Sequence, residues 1–243
     1  MAHGIHELVE RQARFWRGQG ASPQAAPSNP CIALSRLPHS GAAEIGRQLA
    51  ERLGYGYFGI EIVDQIAREQ GVARRLVEGL DEHVRNVIER YAVDALRGRT
   101  VTEADYLSSL VRVIATLGER GGAVILGRGA SFILQPTQAL RVFLLSPREV
   151  RARQLARVRG KTHDEALRQL EAEDEDRLAF LRHHFGVDPN DPVFYDLSIN
   201  TGSFSPALAV ELIIEALVRR FPGCKAAASR SASSSTGRAA RIE

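Results

Sequence analysis

Five short apolar segments, separated by stretches with helical periodicity, most limit how this chain can fold. Strands that alternate with helices predict a parallel sheet with right-handed crossovers. The segment at 140–145 is almost continuously apolar, which is typical of a strand buried on both faces. The predicted strands are 31–35, 56–58, 123–126, 140–145 and 197–200. The predicted fold class is therefore α/β, with a five-stranded parallel sheet.

The length and composition suit one large domain with less regular ends. The chain has 243 residues, and 44% of them are hydrophobic, which is enough for a sizeable core. We expect residues 1–29 to form a flexible N-terminal arm, because residues 21–30 are rich in Pro, Ser, Ala and Gln. Residues 223–243 are rich in Ser and Ala and lack apolar periodicity, so we expect a disordered basic tail. The folded domain is predicted at 30–222.

Charge and cysteine content indicate the setting of the protein. Four basic residues and one acidic residue lie beyond Cys224, and they account for the formal net charge of +3. The rest of the chain has equal numbers of basic and acidic residues, so nucleic-acid binding is not expected.

No apolar run approaches the roughly 20 residues of a membrane span, and the N-terminus lacks the apolar region of a signal peptide. Cys31 and Cys224 fit no metal-ligand spacing. We therefore expect a cytoplasmic protein, with Cys31 in the core.

The first predicted strand leads into a loop of small and turn-forming residues, and a helix follows. This arrangement is the one that holds phosphates on backbone N–H groups. The full P-loop pattern has Gly at its start and Lys followed by Ser or Thr at its end. Here Arg36 stands at the glycine position, Ala42 at the lysine position and Glu44 close to the magnesium-binding hydroxyl. The candidate nucleotide-binding residues are Arg36, His39, Ser40, Gly41, Ala42, Ala43 and Glu44.

Arginine dominates the basic residues, which bears on the missing lysine. Thirty of the 32 basic residues are Arg, and Lys161 is the lysine within the predicted domain. Either Lys161 replaces the missing residue or an arginine does, and arginine suits bidentate phosphate recognition. Arg128 lies between two glycines directly after a predicted strand, where open parallel sheets bind ligands. A surface ion pair is the alternative interpretation of Arg128.

Helical patterns fill the longer connections. Two of them, at 84–95 and 107–117, lie between the second and third strands. A charged region at 148–181 is rich in arginine, and we expect one or two of these side chains to reach a phosphate. Asp174 and Arg177 have the i, i+3 spacing of a local ion pair.

Together, these pieces resemble the cytidylate kinase-like family within the P-loop nucleoside monophosphate kinases. The resemblance covers about 31–220, and its matching parts are 34–36, 40–41, 44–45, 49–50, 53–54, 124–129, 140–147, Arg151, Asp174, Arg177 and 195–201. It implies a helical acceptor-binding insert at 60–120 and an arginine-bearing lid at 148–182. It also implies ATP and Mg²⁺, with phosphoryl transfer to a nucleoside monophosphate.

Carried over by position, the resemblance implies a role for individual residues. Ser40 and Gly41 belong to the triphosphate loop, and Arg128 corresponds to the arginine that binds the acceptor phosphate. Arg151 and Arg177 correspond to catalytic lid arginines that neutralise charge during transfer. No side chain is assigned as a metal ligand.

The chain also departs from the family pattern. Relatives typically read Gly-Ser-Gly-Gly in the loop, already without lysine, and His39 and Ala42 replace two of these glycines. The family's Tyr-Asp after the second strand is Phe58-Gly59 here, and Asp64 is a candidate substitute for the lost acid. Three functions therefore stay open: a nucleoside monophosphate kinase, a pseudokinase-like nucleotide-binding or regulatory module, and a kinase with a non-nucleotide acceptor.

Overall fold

Five parallel strands form the sheet of the described part of the chain. The computed structural model describes residues 29–68 and 101–224, without the side chains of 101–104. The strands are β1 (Cys31–Arg36), β2 (Gly56–Phe58), β3 (Ala123–Leu126), β4 (Ala139–Leu145) and β5 (Leu197–Asn200). They lie in the order β2-β3-β1-β4-β5, and each neighbouring pair is parallel. The predicted α/β class and its five strands are confirmed.

Two strands run one residue further than predicted. β1 continues to Arg36, which is in register with Leu144, and β4 begins at Ala139, in register with Cys31. Pairing in a sheet uses backbone groups, so a strand can continue past the point where its side chains become polar. Arg36 is thereby placed at the carboxyl end of the central strand.

Helices occupy the connections between the strands. Their bounds are α1 (Ala42–Leu53), α2 (Ile60–Arg68), α3 (Val101–Arg120), α4 (Ala130–Ile133), α5 (Arg148–Arg159), α6 (His163–Phe185) and α7 (Pro206–Arg220). A short 3₁₀ turn, Pro192–Phe194, precedes β5. The helix predicted at 107–117 lies within α3.

The sheet is covered on both faces. Ile32 and Leu34 of β1 pack with residues of α1 and α7, whereas Cys31 and Ala33 pack with residues of α2 and α3. This alternation is that of a strand buried between two helical layers. Cys31 is a core residue, as predicted, and burial raises the pKa of its thiol to about 12.

The charged region after β4 forms a helical hairpin. α5 ends at Gly160, whose φ of 64° lies in the left-handed region, and α6 starts after Thr162. Thr162 and Glu165 make a reciprocal capping box, which satisfies backbone donors at the start of α6. Buried Ala152 and Leu155 pack against α6. The α5–α6 hairpin therefore extends to Phe185, beyond the predicted end at 182.

Some predictions concern residues outside the described ranges. These are the arm up to residue 28, the segment 69–100 of the insert with its helix at 84–95, and the tail from residue 225. Of the helices within 29–68 and 101–224, none has the length and apolar character needed to cross a membrane.

Candidate functional site

The loop after β1 is a tight turn tied to its surroundings. The N–H of Leu37 donates to the carbonyl of Leu144 at 2.9 Å, and that of Ser40 donates to Leu37 at 3.3 Å. Gly41 follows with a φ of 79°, a conformation that glycine adopts without strain. Thr201, just after β5, donates its hydroxyl to the Ser40 carbonyl at 2.8 Å. The loop is therefore fixed to the carboxyl edge of the sheet.

The start of α1 leaves polar groups available for a ligand. The helix begins after Gly41 without a side-chain cap. No described carbonyl or side chain accepts from the N–H groups of residues 41–43. The Ser40 hydroxyl is buried and also lacks a partner among the described residues. Free donors and the helix dipole together favour an anion such as phosphate at this position.

A cleft of about 790 Å³ opens in front of the loop. Its walls are the loop, the start of α1, parts of β1, β2 and β3, the start of α2, and residues of α5 and α6. β1 and β3 are neighbours, so the segments that follow them emerge side by side. The predicted site residues that line this cleft are Arg36, His39, Ser40, Gly41, Ala42, Ala43, Glu44, Arg128 and Arg177.

Arg128 is held in the cleft by an acidic partner. Its Nε donates to Asp64 Oδ1 at 2.6 Å, and a terminal nitrogen binds Asp64 Oδ2. Tyr106 donates to the same Oδ1 at 2.8 Å, and the guanidinium lies 5.0 Å from the centre of the Phe180 ring. Burial acts to lower the pKa of Arg128, but the hydrogen bonds that it donates to Asp64 and the nearby acidic groups outweigh burial and raise that pKa. Asp64, the candidate substitute acid, thus orients this arginine.

Arg36 reaches the cleft without an ion-pair partner among the described residues. One of its terminal nitrogens lies 2.9 Å from where a Cβ on Gly127 would stand, so the glycine makes room for it. Burial and then the charges of Arg177 and Arg128 lower the pKa of Arg36 to about 10, against the opposing effect of Glu61. An unpaired, partly buried cation beside two others is an environment that favours an anionic ligand.

Arg177 enters the cleft from α6. Its terminal nitrogens donate to the Pro189 carbonyl and to Asn190 Oδ1, both at 3.3 Å, and its guanidinium lies 5.4 Å from the Phe143 ring centre. Burial lowers the pKa of Arg177. Bonds of 3.3 Å are longer than the usual N–H···O distance, so a phosphate could compete for these donors.

Arg151 does not line the cleft. Its side chain is 5% exposed and binds both oxygens of Asp174, at 2.8 and 2.9 Å. It also donates to the carbonyls of Ser146 at 3.1 Å and Pro38 at 3.3 Å. These bonds join the loop, the end of β4 and α6. The predicted local pair of Asp174 with Arg177 is wrong, because Asp174 pairs with Arg151 instead, and a direct catalytic role of Arg151 stays a prediction.

Lys161 lies away from the cleft. It occupies the exposed turn between α5 and α6, where its Nζ donates to Gln169 Oε1 at 2.6 Å. It is not among the residues that line the cleft. Of the two alternatives left open by the sequence, the structure therefore favours an arginine in place of the missing lysine.

Some cleft residues were not predicted. Glu173 is one of them, and its Oε2 lies 2.7 Å from Nε2 of the predicted residue His39, a contact that connects the loop to α6. Tyr57 and Glu61 line the cleft at and just beyond the end of β2. The tendency of ligands to bind beyond the carboxyl ends of parallel strands would have selected Glu61. Glu173 gives no such signal, because its position depends on how α6 packs.

The described residues contain no group of three or more His, Cys, Asp or Glu side chains arranged to hold a metal ion. Carboxylates of Glu44, Glu61, Glu173 and Asp176 do line the cleft. They lie on three helices, with Glu44 on α1, Glu61 on α2, and Glu173 and Asp176 on α6. Glu173 and Glu44 already bind His39 and Arg47.

Comparison with known proteins places this geometry in a family. Residues 31–203 match the model of the cytidylate kinase-like family. A cytidylate kinase of Aeropyrum pernix is 30% identical over 193 residues, which cover 77% of this chain and 98% of that protein. A cytidylate kinase of Pyrococcus furiosus is 31% identical over 178 residues, which cover 72% of this chain and 81% of that protein.

A solved structure shares the fold. An uncharacterised protein from Eubacterium ventriosum superimposes with a TM-score of 0.63 at 21% identity. The match covers 78% of this chain and 98% of the other. At this identity the likeness concerns the fold alone.

Proposed function

The chain belongs to the cytidylate kinase-like family, and we propose that it transfers a phosphoryl group from ATP to a nucleoside monophosphate. One observation carries the proposal: a single cleft holds both the free amides of residues 41–43 and the oriented guanidinium of Arg128. Two phosphate groups bound at these places would share a space of about 790 Å³. Phosphoryl transfer depends chiefly on such positioning and on charge stabilisation.

The loop forms the donor side of the proposed site. The amides of residues 41–43 and the buried Ser40 hydroxyl are the donors that fit a triphosphate. ATP supplies the phosphoryl group when bound. His39 has a φ of 59°, a value usual for glycine, so the loop keeps a glycine-type backbone despite the substitution. The two lost glycines therefore do not remove the amide donors.

Arg128 forms the acceptor side. Its bonds to Asp64 fix the guanidinium plane, and Phe180 packs over it. A phosphate on the acceptor would bind the outward edge of this guanidinium, which suits arginine's planar fork. We propose CMP as the acceptor, because the curated relatives are cytidylate kinases.

The α5–α6 hairpin contributes a further cation, Arg177. Arg177 lines the cleft between the two sides, where it would stabilise charge on the transferring group. Arg151 holds α6 to the loop through Asp174 and Pro38, so its proposed role is to position the hairpin. We propose on this basis that the hairpin serves as the lid.

Mg²⁺ is the proposed companion of the triphosphate. The described carboxylates do not form a protein-built site for it. In kinase sites Mg²⁺ is bound largely through substrate phosphates and water, and that mode agrees with this cleft. No step proposed here uses a protein–metal bond.

A coupled kinase assay with CMP, dCMP and UMP tests the function. We expect turnover by the wild-type protein and a loss of kcat/KM of about 100-fold in Arg128→Ala. Equal rates for the two proteins would contradict the catalytic claim. Calorimetry with ATP separates the alternatives: binding without turnover would favour a non-catalytic nucleotide-binding module, and no binding would contradict both.

We also propose a cytoplasmic location. An ATP-dependent enzyme works where ATP is abundant, and Cys31 and Cys224 are buried, unpaired thiols. Unpaired cysteines are typical of a reducing compartment. Fractionation of cells that produce the full chain tests this location.

A further inference from the structure

We infer that Arg36 replaces the missing P-loop lysine and clamps the terminal phosphate of the donor. The inference rests on the proposed function and goes beyond it, because it assigns the charge that Ala42 cannot supply. Three observations carry it: the position of Arg36, its lack of a partner, and the partners that occupy the other basic groups.

The position of Arg36 is fixed by the sheet. It is the last residue of β1, in register with Leu144 of β4, and it immediately precedes the loop. Its guanidinium lies against Gly127, the residue that follows β3. The side chain therefore stands between the donor side at the loop and the acceptor side at Arg128, which is where a terminal phosphate would lie.

The charge of Arg36 is not neutralised by an ion pair within the described residues. Glu61 is near enough to raise the pKa of Arg36 slightly against the larger effect of burial, but it forms no ion pair with Arg36. A pKa near 10 still leaves the guanidinium charged at neutral pH. A partly buried charge without a counter-ion is costly, and a phosphate would remove that cost.

The other basic side chains at or near the cleft already have partners. Arg47 binds Glu44 at 3.0 Å and is exposed, and Arg128 is bound by Asp64. The remaining pairings are Arg151 with Asp174, Arg177 with Pro189 and Asn190, and Lys161 with Gln169. Among these groups, Arg36 is the one whose side-chain N–H donors are all without a protein acceptor within the described residues.

Binding of inorganic tripolyphosphate to the full chain, measured by calorimetry, tests the inference without requiring turnover. We expect Arg36→Gln to weaken binding by roughly 10- to 100-fold, because hydrogen bonds to a charged group are lost. Arg36→Lys keeps the charge but loses the fork, and should weaken binding by roughly 3- to 10-fold. Arg153→Gln is the matched control, since it removes an exposed arginine that lies outside the cleft.

Thermal unfolding without ligand gives a second readout. Without ligand, the melting temperature of Arg36→Gln should be roughly 2 °C higher than that of wild type, because an unpaired, partly buried charge has been removed. Added tripolyphosphate should raise the melting temperature of the wild-type protein more than that of this variant. If Arg36→Gln does not fold, the affinity of Arg36→Lys for tripolyphosphate is measured instead, and an affinity equal to that of wild type would contradict the inference.

Binding by Arg36→Gln within twofold of wild type would overturn the inference, as would failure of the wild-type protein to bind tripolyphosphate. Loss of binding in Lys161→Gln with retention in Arg36→Gln would overturn it too. The proposed function can fail separately. Arg36-dependent tripolyphosphate binding without turnover of CMP would contradict the kinase activity and support the clamp.

Discussion

His39 Nε2 lies 2.7 Å from Glu173 Oε2, so the loop after β1 is bonded directly to helix α6, and both residues line the cleft. His39 occupies a position where the family typically has glycine, and it is held at a φ of 59°. The substitution therefore adds a contact between loop and hairpin at the expense of backbone strain of about 1–2 kcal/mol.

His39→Gly should loosen the hairpin while changing overall stability by less than about 1 kcal/mol, because lost hydrogen bonding and relieved strain are of similar size. We expect faster amide hydrogen exchange in the first half of α6. Glu173→Ala should produce the same acceleration, and the double variant should add nothing further. Unchanged exchange in His39→Gly would show that the contact does not restrain the hairpin.

Asp64→Asn should weaken acceptor binding by about tenfold. The amide cannot accept two charge-assisted bonds from Arg128, so the guanidinium loses its fixed orientation. Steady-state kinetics should show a higher KM for CMP with little change in the KM for ATP. Tyr106→Phe removes only the tyrosine bond to the same carboxylate and should have a smaller effect. A change confined to the KM for ATP would contradict the acceptor assignment of Arg128.

Arg151→Ala should destabilise the protein by about 3 kcal/mol. The substitution leaves the Asp174 carboxylate and two backbone carbonyls without their donor. Urea denaturation measures the loss. Arg148→Ala is a matched control from the same helix, because its pair with Glu171 is about half exposed and should contribute less than about 1 kcal/mol. Equal losses in the two variants would show that Arg151 is not a structural tie.

Gly129→Ala should cost about 2–4 kcal/mol and displace the end of α6. A Cβ at residue 129 would stand 2.2 Å from Phe185 Cζ, and the φ of 75° is itself strained for alanine. Gly54→Ala separates the two effects, since Gly54 has a φ of 67° but open space around it. Thermal unfolding should show a loss of only about 1 kcal/mol for Gly54→Ala. Comparable losses would mean that contact with Phe185 is unimportant.

Asp196 should make stability depend on pH in the acid range. Burial acts to raise the pKa of its carboxyl, but hydrogen bonds from Arg141 and the nearby charge of Arg220 outweigh it, so the pKa is lowered. This contribution is fully present above the unfolded-state pKa of about 3.9. It is lost as the pH falls through the lower folded-state value.

Asp196→Asn should therefore be about 2 kcal/mol less stable than wild type at pH 7. The two proteins should converge in denaturation experiments as the pH is lowered toward 3. A difference that stays constant with pH would contradict the assigned role of the carboxylate.

The sheet could be predicted because buried strands leave apolar runs such as 140–145 in the sequence. The break between α5 and α6 was missed, although Gly160 and the Thr162–Glu165 capping box are visible signals for it. In a highly charged segment the boundary between two helices is hard to predict, because few apolar residues mark the buried face of each helix.

Residues of the candidate site could be predicted where they directly follow a strand of the parallel sheet. Arg128 and the loop follow strands directly, and both line the cleft. The burial of Arg151 and the contact between His39 and Glu173 could not be predicted, because they arise from tertiary packing of α6. The sequence separation of these last two residues is 134, and no local pattern records such a contact.

Helix α6 has 23 residues and is about 34 Å long. It contacts the loop after β1 through Glu173, Arg128 through Phe180, and the surroundings of Gly129 through Phe185. Glu173 lies near the middle of the helix and Phe180 and Phe185 near its C-terminal end, so a tilt of α6 caused by a ligand at the loop would shift the wall beside Arg128. If two substrates bind as proposed, thermodynamic linkage would require each of them to change the affinity for the other by the same factor. Under the proposed kinase activity, one helix in contact with both the loop and Arg128 would make the two substrates bind cooperatively.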